Sequence, residues 1–336
     1  MILQYPFIIA EMSGNHNQSL EKALKIVDAA ADAGASAIKL QTYTADTLTI
    51  KGVFTITEPT SLWFGRDLYD LYNEAHTPWE WHKPIFERAK SRGILCFSSP
   101  FDETAVDLLE GLNNPIYKIA SFEINHIPLL KYIAKTGKPV IMSTGASSLA
   151  EVEEAVVTLR NCGCKEIVLL KCTSTYPSTP ENSNILTIPH MQKLFECEVG
   201  LSDHTIGIGV AVAAIALGAN YIEKHFCLDR SEGGVDSAFS LEPHEFKSLV
   251  EESKRAFLAR GKITYGMIAD EEKVSAGKRS IYVSEDITAG EKFTRENIKV
   301  VRPGFGLHPR YFEQALTKVS SVDLKAGSPL SFSNFG

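Results

Sequence analysis

The sequence predicts an α/β fold, a (β/α)8 TIM barrel followed by a small β-rich domain. Three observations predict it. A strand-then-helix rhythm repeats eight times through residues 1–261. The last residues of several strands are polar and share one parity. After Gly261 the rhythm stops, and short strands and turns take over. Eight parallel strands, each followed by a helix, close into a barrel whose strand carboxyl ends form one functional face. A doubly wound open sheet is the alternative, and eight units in so short a span favour the barrel.

The elements follow in order. A strand at Phe7–Ser13 leads into a helix at Ser19–Ala33, ended by Gly34. The second strand, Ala37–Tyr43, is followed by Ala45–Asn73, longer than an ordinary βα loop and containing Trp63-Phe-Gly65; it reads as a lid or as a surface insertion. A helix at Pro78–Ser91 stops at Gly93, where a third strand, Ile94–Pro100, and a helix at Glu103–Leu109 begin the next unit. The fourth strand is Ile116–Ser121 with the helix Pro128–Lys135 and Gly137 after it. Pro139–Gly145 and Glu166–Ser174 are the fifth and sixth strands, with helices at Leu149–Arg160 and Ile188–Phe195. The seventh strand, Glu198–His204, and the eighth, Tyr221–Phe226, flank a short apolar helix at Gly207–Leu217 that ends in Gly218. Pro243–Ala259 is the last helix. Residues 262–279 read as a linker with a few helical turns. Residues 280–336 read as a small domain with strands at Ile281–Ser284, Asp286–Gly290, Ile298–Arg302 and Gly327–Leu330. A domain of that size is near the lower limit for independent stability, so it is expected to dock on the barrel or on a second subunit.

Composition narrows the function. With 44% apolar and 22% charged residues the chain has ample core. No apolar run approaches the ~20 residues of a membrane span, so no membrane partner is expected. The first residues lack the basic and apolar regions of a signal peptide. The six cysteines form no CxxC pair, which suits reduced thiols in the cytoplasm. A net charge of −7 and the lack of a basic cluster argue against a nucleic-acid partner. An anionic small substrate remains open, because a few lysines in a cleft outweigh the global charge locally.

Strand alternation sorts the polar residues. Ile9, Glu11 and Ser13 share one face of the first strand, and Lys39 and Gln41 share one face of the second. Ile141, Ser143 and Gly145 do so in the fifth, Gly200, Ser202 and His204 in the seventh, and Glu223 and His225 in the eighth. Lys118 and Ser121 differ in parity, so one of them needs a bulge or a strand end to turn inward. A carboxylate at the end of an inner strand is a poor core residue and a good catalytic one. Lysines with hydroxyls supply charge and adaptable donors for a phosphate or carboxylate. His204 and His225 end neighbouring parallel strands and together could hold a divalent metal with positions left open. Two buried, hydrogen-bonded structural histidines are the other reading. The whole set places an active site at the carboxyl end of the barrel.

Several runs resemble the sialic acid synthase family. They are Ile9-Ala-Glu-Met-Ser-Gly-Asn-His16, Ile38-Lys-Leu-Gln-Thr-Tyr43, Tyr117-Lys-Ile-Ala-Ser-Phe-Glu123, Met142-Ser-Thr-Gly145, Lys171-Cys-Thr-Ser-Thr-Tyr-Pro177, Gly200-Leu-Ser-Asp-His204 and Ile222-Glu-Lys-His-Phe226. Lys278-Arg-Ser-Ile-Tyr-Val through Val301-Arg-Pro-Gly-Phe-Gly-Leu-His-Pro309 resembles the antifreeze-like SAF domain that follows the barrel in that family. The resemblance spans essentially the whole chain. It implies condensation of phosphoenolpyruvate with an open-chain amino sugar to give a nonulosonic acid. Cys96-Phe-Ser-Ser-Pro-Phe101, Lys171–Pro177 and Gly304–Pro309 resemble the pseudaminate-forming branch. Ser174 stands where neuraminate-forming members commonly carry asparagine. The implied acceptor is a diacetamido-trideoxy-altrose, with legionaminate-type and N-acetylneuraminate-type acceptors as alternatives.

The resemblance also implies roles. His204 and His225 would bind a divalent metal, usually Mn2+, with Mg2+ or Co2+ as alternatives, and Glu11 would manage the water or the sugar hydroxyl protons. Lys39, Lys118, Ser121, Ser143, Ser174 and Ser202 match positions that hold phosphoenolpyruvate. Gln41, Tyr176 and Asp236 match sugar-contacting positions. Glu223 is a possible second partner of these groups or a structural partner of a lysine. Arg302 matches an SAF-domain arginine that reaches the sugar in the partner subunit's barrel, which implies a domain-swapped homodimer. Two other classes of function compete with this one. Lys118 or Lys171 could serve a Schiff-base aldolase or lyase, and the small domain could belong to a non-enzymatic carbohydrate-binding protein.

Overall fold

The computed structural model describes residues 5–272 and 274–336. Contacts divide it into two compact units, Met1–Gly261 and Lys262–Gly336. In the first, eight strands close a parallel barrel: β1 Phe7–Glu11, β2 Ala37–Thr42, β3 Leu95–Pro100, β4 Tyr117–Ile119, β5 Val140–Ser143, β6 Ile167–Cys172, β7 Glu198–Asp203 and β8 Tyr221–His225. β1 pairs with both β2 and β8, which completes the closure that an open sheet would lack. The helices are α1 Leu20–Asp32, α2 Ala45–Leu48, α3 Leu68–Ala75, α4 Trp79–Ser91, α5 Glu103–Gly111, α6 Ile127–Ala134, α7 Leu149–Asn161, α8 Thr187–Phe195, α9 Gly209–Ala216 and α10 Pro243–Ala259.

Local chemistry starts these helices. Ser19 accepts the Lys22 amide at the start of α1, Asp102 accepts the Thr104 and Ala105 amides at α5, and Ser148 with Glu151 forms a capping box at α7. Each satisfies donors that the first helical turn leaves unpaired. Ala23, Ile26, Val27 and Ala30 recur at helical spacing on α1 and bury that face against the strands.

The apolar side chains fall into two layers. Ile8, Ala10, Ile38, Leu40, Ile119, Met142 and Leu201 pack outward against the helices. Phe7, Ile9, Phe97, Ile141, Leu170 and Tyr221 fill the barrel interior. Gly200 makes room in that floor, because a Cβ there would lie 2.2 Å from the Tyr221 carbonyl oxygen and 2.6 Å from Leu170 Cδ2. The floor closes the barrel from below, so the polar residues above it can face only the carboxyl end.

Most strands stop one or two residues before their predicted carboxyl ends. β1 ends at Glu11, β4 at Ile119, β5 at Ser143, β6 at Cys172, β7 at Asp203 and β8 at His225. There the chain leaves the ladder: Ser13 adopts φ +47°, and Ser121–Glu123 form a 3-10 turn. The long segment after β2 also differs from expectation. It contains α2, a bridge between Thr55 and Asp67, and the start of α3, which Asp67 caps through the Tyr69 and Asp70 amides.

The second unit carries a short helix at Ala269–Glu272 within the stretch expected as linker. Its one two-stranded antiparallel ladder is β9 Ser280–Val283 with β10 Ile298–Val301. The expected strands at 286–290 and 327–330 contribute only single bridges, Ile287 to Leu324 and Pro329 to Tyr282. Ile281, Val283, Ile287, Phe293, Ile298 and Leu330 form its core. Among the described residues no helix is long and apolar enough to cross a membrane, and all six cysteines are free thiols.

Candidate active site

Strand register brings the first charged groups together. Glu11 on β1 lies opposite Lys39 on β2 and opposite His225 on β8. Lys39 Nζ is 2.8 Å from Glu11 Oε2 and 3.6 Å from Glu223 Oε1. Lys118 Nζ is 3.5 Å from the same Glu223 oxygen and donates to Ser143 Oγ at 2.7 Å. Ser202 donates to Glu223 Oε1 at 3.3 Å. Two ammonium groups and two carboxylates thus form one buried network across the top of the barrel. Beside it, Gln41 Nε2 donates to Glu11 Oε1 at 2.8 Å and to Ser13 Oγ at 3.2 Å. Ser13 in turn donates to Asp236, whose Oδ2 lies 3.8 Å from His225 Nδ1.

Burial and charge set the protonation preferences. Burial and the nearby Glu223 charge raise the Glu11 pKa, against the pull of Lys39. Burial works against the Lys39 ammonium, but Glu11 and Glu223 outweigh it and hold the group charged. Lys118 is lowered by burial and by the Lys39 charge, despite Glu223. Glu223, buried between the two lysines, is held below the usual carboxylate range by them.

A second cluster sits at the ends of β4, β5 and β6. The 3-10 turn after β4 carries Ser121 inward, resolving its parity, and Ser121 Oγ accepts the Gly145 amide at 3.1 Å. A Cβ on Gly145 would lie 2.2 Å from Ser174 Oγ, 2.8 Å from Ser121 Oγ and 3.1 Å from Cys172 Sγ. Glycine therefore keeps open a small cradle ringed by two hydroxyls and a thiol. Lys171, whose parity points away from this cradle, donates to the Cys172 carbonyl at 2.7 Å and to Thr173 Oγ1 at 3.3 Å.

The two histidines complete the face. Their ring centroids are 5.4 Å apart. His204 Nδ1 lies 3.0 Å from the Thr173 carbonyl oxygen, so Nδ1 carries the proton and Nε2 keeps its lone pair. His225 Nδ1 is buried without a hydrogen-bond partner. Burial, with the charges of His204 and the lysines, holds His225 well below its ordinary pKa, which favours the neutral imidazole, the form a metal would need. Among the described residues no group of three or more His, Cys, Asp or Glu side chains is arranged to hold a metal. The donor set is two imidazoles, one with an orphaned nitrogen; Cys172, the Thr173 carbonyl and Glu223 raise the His204 pKa against burial, and a bound cation would displace that proton. The pair fits a divalent ion that takes its other ligands from water and substrate. Tyr176 stacks on His204 at 4.4 Å between centroids, and Phe239 packs on His225 at 4.9 Å.

The structure thus gathers Glu11, Lys39, Gln41, Lys118, Ser121, Ser143, Ser174, Tyr176, Ser202, His204, Glu223, His225 and Asp236 at one face. Arg302 belongs to the second unit and is exposed just after β10. Three further residues escaped the sequence reading. Glu123, on the 3-10 turn, has a buried Oε2 with no partner, and burial raises its pKa to about 7 despite Lys118 and Lys39. Asp203 and Lys224, one residue before each histidine, form a buried ion pair at 2.7 Å on the helix-facing side of β7 and β8. Glu123 lies inside a motif quoted above. Nothing in the motif shows that its carboxylate turns inward.

The comparisons agree with this geometry. A NeuB family model matches residues 26–265 and an SAF domain model matches residues 278–336. Pseudaminic acid synthase of Campylobacter jejuni is 47% identical over 98% of this chain and 96% of its own length. The pseudaminic acid synthase of Helicobacter pylori is 43% identical over 98% of each chain. Among solved structures, an N-acetylneuraminic acid synthetase from Leptospira borgpetersenii, in complex with citrate, superposes with a TM-score of 0.73 at 34% identity, covering 80% of this chain and 89% of its own.

Proposed function

The chain belongs to the NeuB family, and on that premise we propose that it condenses phosphoenolpyruvate with open-chain 2,4-diacetamido-2,4,6-trideoxy-altrose to form pseudaminic acid. Carbon 3 of phosphoenolpyruvate bonds to the sugar aldehyde carbon, whose oxygen takes a proton. Water adds to carbon 2, and phosphate leaves with C–O cleavage. The observation that carries the reading is the convergence of Lys39 and Lys118 with the Ser143, Ser202, Ser121 and Ser174 hydroxyls beside the two imidazoles. That set neutralises and orients a trianionic phosphate and carboxylate substrate next to an electrophile. The acceptor follows the two relatives at 43–47% identity, both pseudaminic acid synthases, over the neuraminate-forming one at 34%.

Glu11, whose pKa burial raises, moves the proton at the water or the sugar hydroxyl. Gln41, Tyr176 and Asp236 contact the sugar. A divalent metal held by His204 and His225, Mn2+ in this reading, supplies Lewis-acid polarisation of the aldehyde when bound. Arg302 reaches the acceptor in the partner's barrel within a domain-swapped homodimer. Phe122 and Ile206, largely exposed on loops at the barrel's carboxyl face, are apolar surface that such a partner would cover. Free thiols and phosphoenolpyruvate as substrate suit the cytoplasm.

The test is phosphate release from phosphoenolpyruvate with Mn2+, offering the altrose-type acceptor, a legionaminate-type precursor and N-acetylmannosamine separately. Turnover with the first alone is expected. Turnover with another alone overturns the acceptor. Silence with all three, joined to borohydride trapping of pyruvate on a lysine, overturns the reaction.

A further inference from the structure

Trp63 is where the long segment after β2 meets the loop after β8. Its Nε1–H donates to the Val235 carbonyl oxygen at 3.0 Å, and its ring stands 5.9 Å from that of Tyr176, the ring stacked on His204. Trp63 also lines a cavity of about 570 Å³; Asn17, Leu62 and Val235 stand on its side of the wall, and Gln18, Glu232 and the Arg66–Glu74 ion pair make the rest of the wall polar. Gly14 and Val235 are the chain neighbours of Ser13 and Asp236, which bond to each other inside the catalytic network. The cavity therefore borders the active site through the chain neighbours of Ser13 and Asp236, and Trp63 in its wall stands beside Tyr176.

The chemistry of its walls is specific. Asn17 spends its amide donor on the Gly233 carbonyl at 2.9 Å, which turns Oδ1 the other way as an acceptor. Asn15 spends Nδ2 on the Phe226 carbonyl and on Ser240 Oγ, both at 2.9 Å. Ser240 is itself a committed donor to the Asp236 carbonyl, which fixes the orientation of the Asn15 amide. Asn15 Oδ1 is left buried with no partner. The two oxygens converge on Gly234: a Cβ there would be 2.8 Å from Asn17 Oδ1 and 3.3 Å from Asn15 Oδ1. The Asn17 Oδ1 acceptor, beside the Trp63 indole and the Leu62 and Val235 side chains, matches a secondary amide carrying a methyl group. Its N–H meets the Asn17 oxygen and its methyl packs on Trp63.

We propose that this cavity is the subsite for the acceptor's second acetamido group, the one remote from the aldehyde, with Trp63 and Asn17 as its specificity-determining residues. The inference rests on the acceptor proposed above. A hydroxyl in place of that group would find the Asn17 oxygen but leave the indole wall uncovered.

The experiment compares two acceptors, the 2,4-diacetamido sugar and its analogue with a hydroxyl at carbon 4. The proteins are the wild type, Trp63→Ala, Trp63→Phe and Asn17→Gly, the last chosen because Asn17 sits at φ +49°. Wild type is expected to prefer the diacetamido sugar in kcat/KM by about tenfold or more. Trp63→Ala and Asn17→Gly should cut kcat/KM for that sugar by about tenfold while leaving the hydroxyl analogue and the KM for phosphoenolpyruvate within about twofold. Equal losses on both sugars, or a matching rise in the KM for phosphoenolpyruvate, overturn the subsite. If wild type releases no phosphate with either sugar, the acceptor reading has failed, and binding decides the subsite. Quenching of indole fluorescence that saturates with the diacetamido sugar alone, and is lost in Trp63→Phe, supports it. Binding without preference overturns it.

Discussion

Gly145→Ala tests the cradle at the ends of β4, β5 and β6. The new methyl would lie 2.2 Å from Ser174 Oγ and 2.8 Å from Ser121 Oγ, well inside contact distance, so both hydroxyls must rotate away. Gly145 is not among the residues with positive φ, so alanine brings crowding without backbone strain. If both hydroxyls hold the phosphate of phosphoenolpyruvate, two bonds to a charged group are lost, at ~1.5–3 kcal/mol each. The expected rise in KM for phosphoenolpyruvate is therefore roughly a hundredfold or more, at about 1.4 kcal/mol per factor of ten. Overpacking of ~1–3 kcal/mol would appear in a rigid core. Here the displaced atoms are hydroxyl ends beside an open site, and the melting temperature should fall only slightly. The assay is initial-rate phosphate release with phosphoenolpyruvate varied at saturating sugar, paired with equilibrium binding of phosphoenolpyruvate to separate affinity from chemistry. A KM for phosphoenolpyruvate within about twofold of wild type, or an equal rise in the KM for sugar, would refute the placement of the phosphate.

Three other outcomes are expected. Lys224→Met should destabilise the barrel by ~3–5 kcal/mol in urea unfolding, because it leaves the buried Asp203 carboxylate without its cation. A loss below about 1 kcal/mol would show that the Thr205 amide and hydroxyl suffice for Asp203. Glu123, raised from 4.5 to about 7 by burial, binds its proton more tightly folded than unfolded, so its contribution to stability is full below pH 4.5 and is lost as pH rises through 7. The Lys118 and Lys39 charges and Tyr72 face it, and Glu123→Gln should flatten the fall in melting temperature between pH 5 and 8 without moving those groups; an unchanged slope would assign the dependence elsewhere. Arg302→Ala should raise the KM for sugar more than that for phosphoenolpyruvate, and the reverse order would remove Arg302 from the acceptor site.

The barrel itself was legible in the chain because its causes are local and periodic. Alternation puts Glu11, Lys39, Ser143, Ser202, Glu223 and His225 on one parity, and closing the sheet turns that parity inward. Helix-ending glycines, Gly34, Gly93, Gly137 and Gly218, marked half of the repeats for the same reason. Periodicity fails where the ladder ends. Ser121 points inward only because the backbone leaves the strand there in a 3-10 turn. The small domain was legible as β-rich, yet single bridges replaced two of its expected strands, since short segments form ladders only where a partner runs beside them.

From its order of residues alone, this chain determined a closed barrel with lysines, carboxylates and two histidines at its carboxyl end, because strand parity and βα connection depend on neighbours a few positions away. Only the tertiary structure decided which charge meets which. Glu223 lies between Lys39 and Lys118, Ser13 meets Asp236 across the site, and Trp63 closes against Val235. Those partners are brought together by strands and loops far apart in the chain, and their pairing energies exist only after the barrel has closed and excluded water from between them.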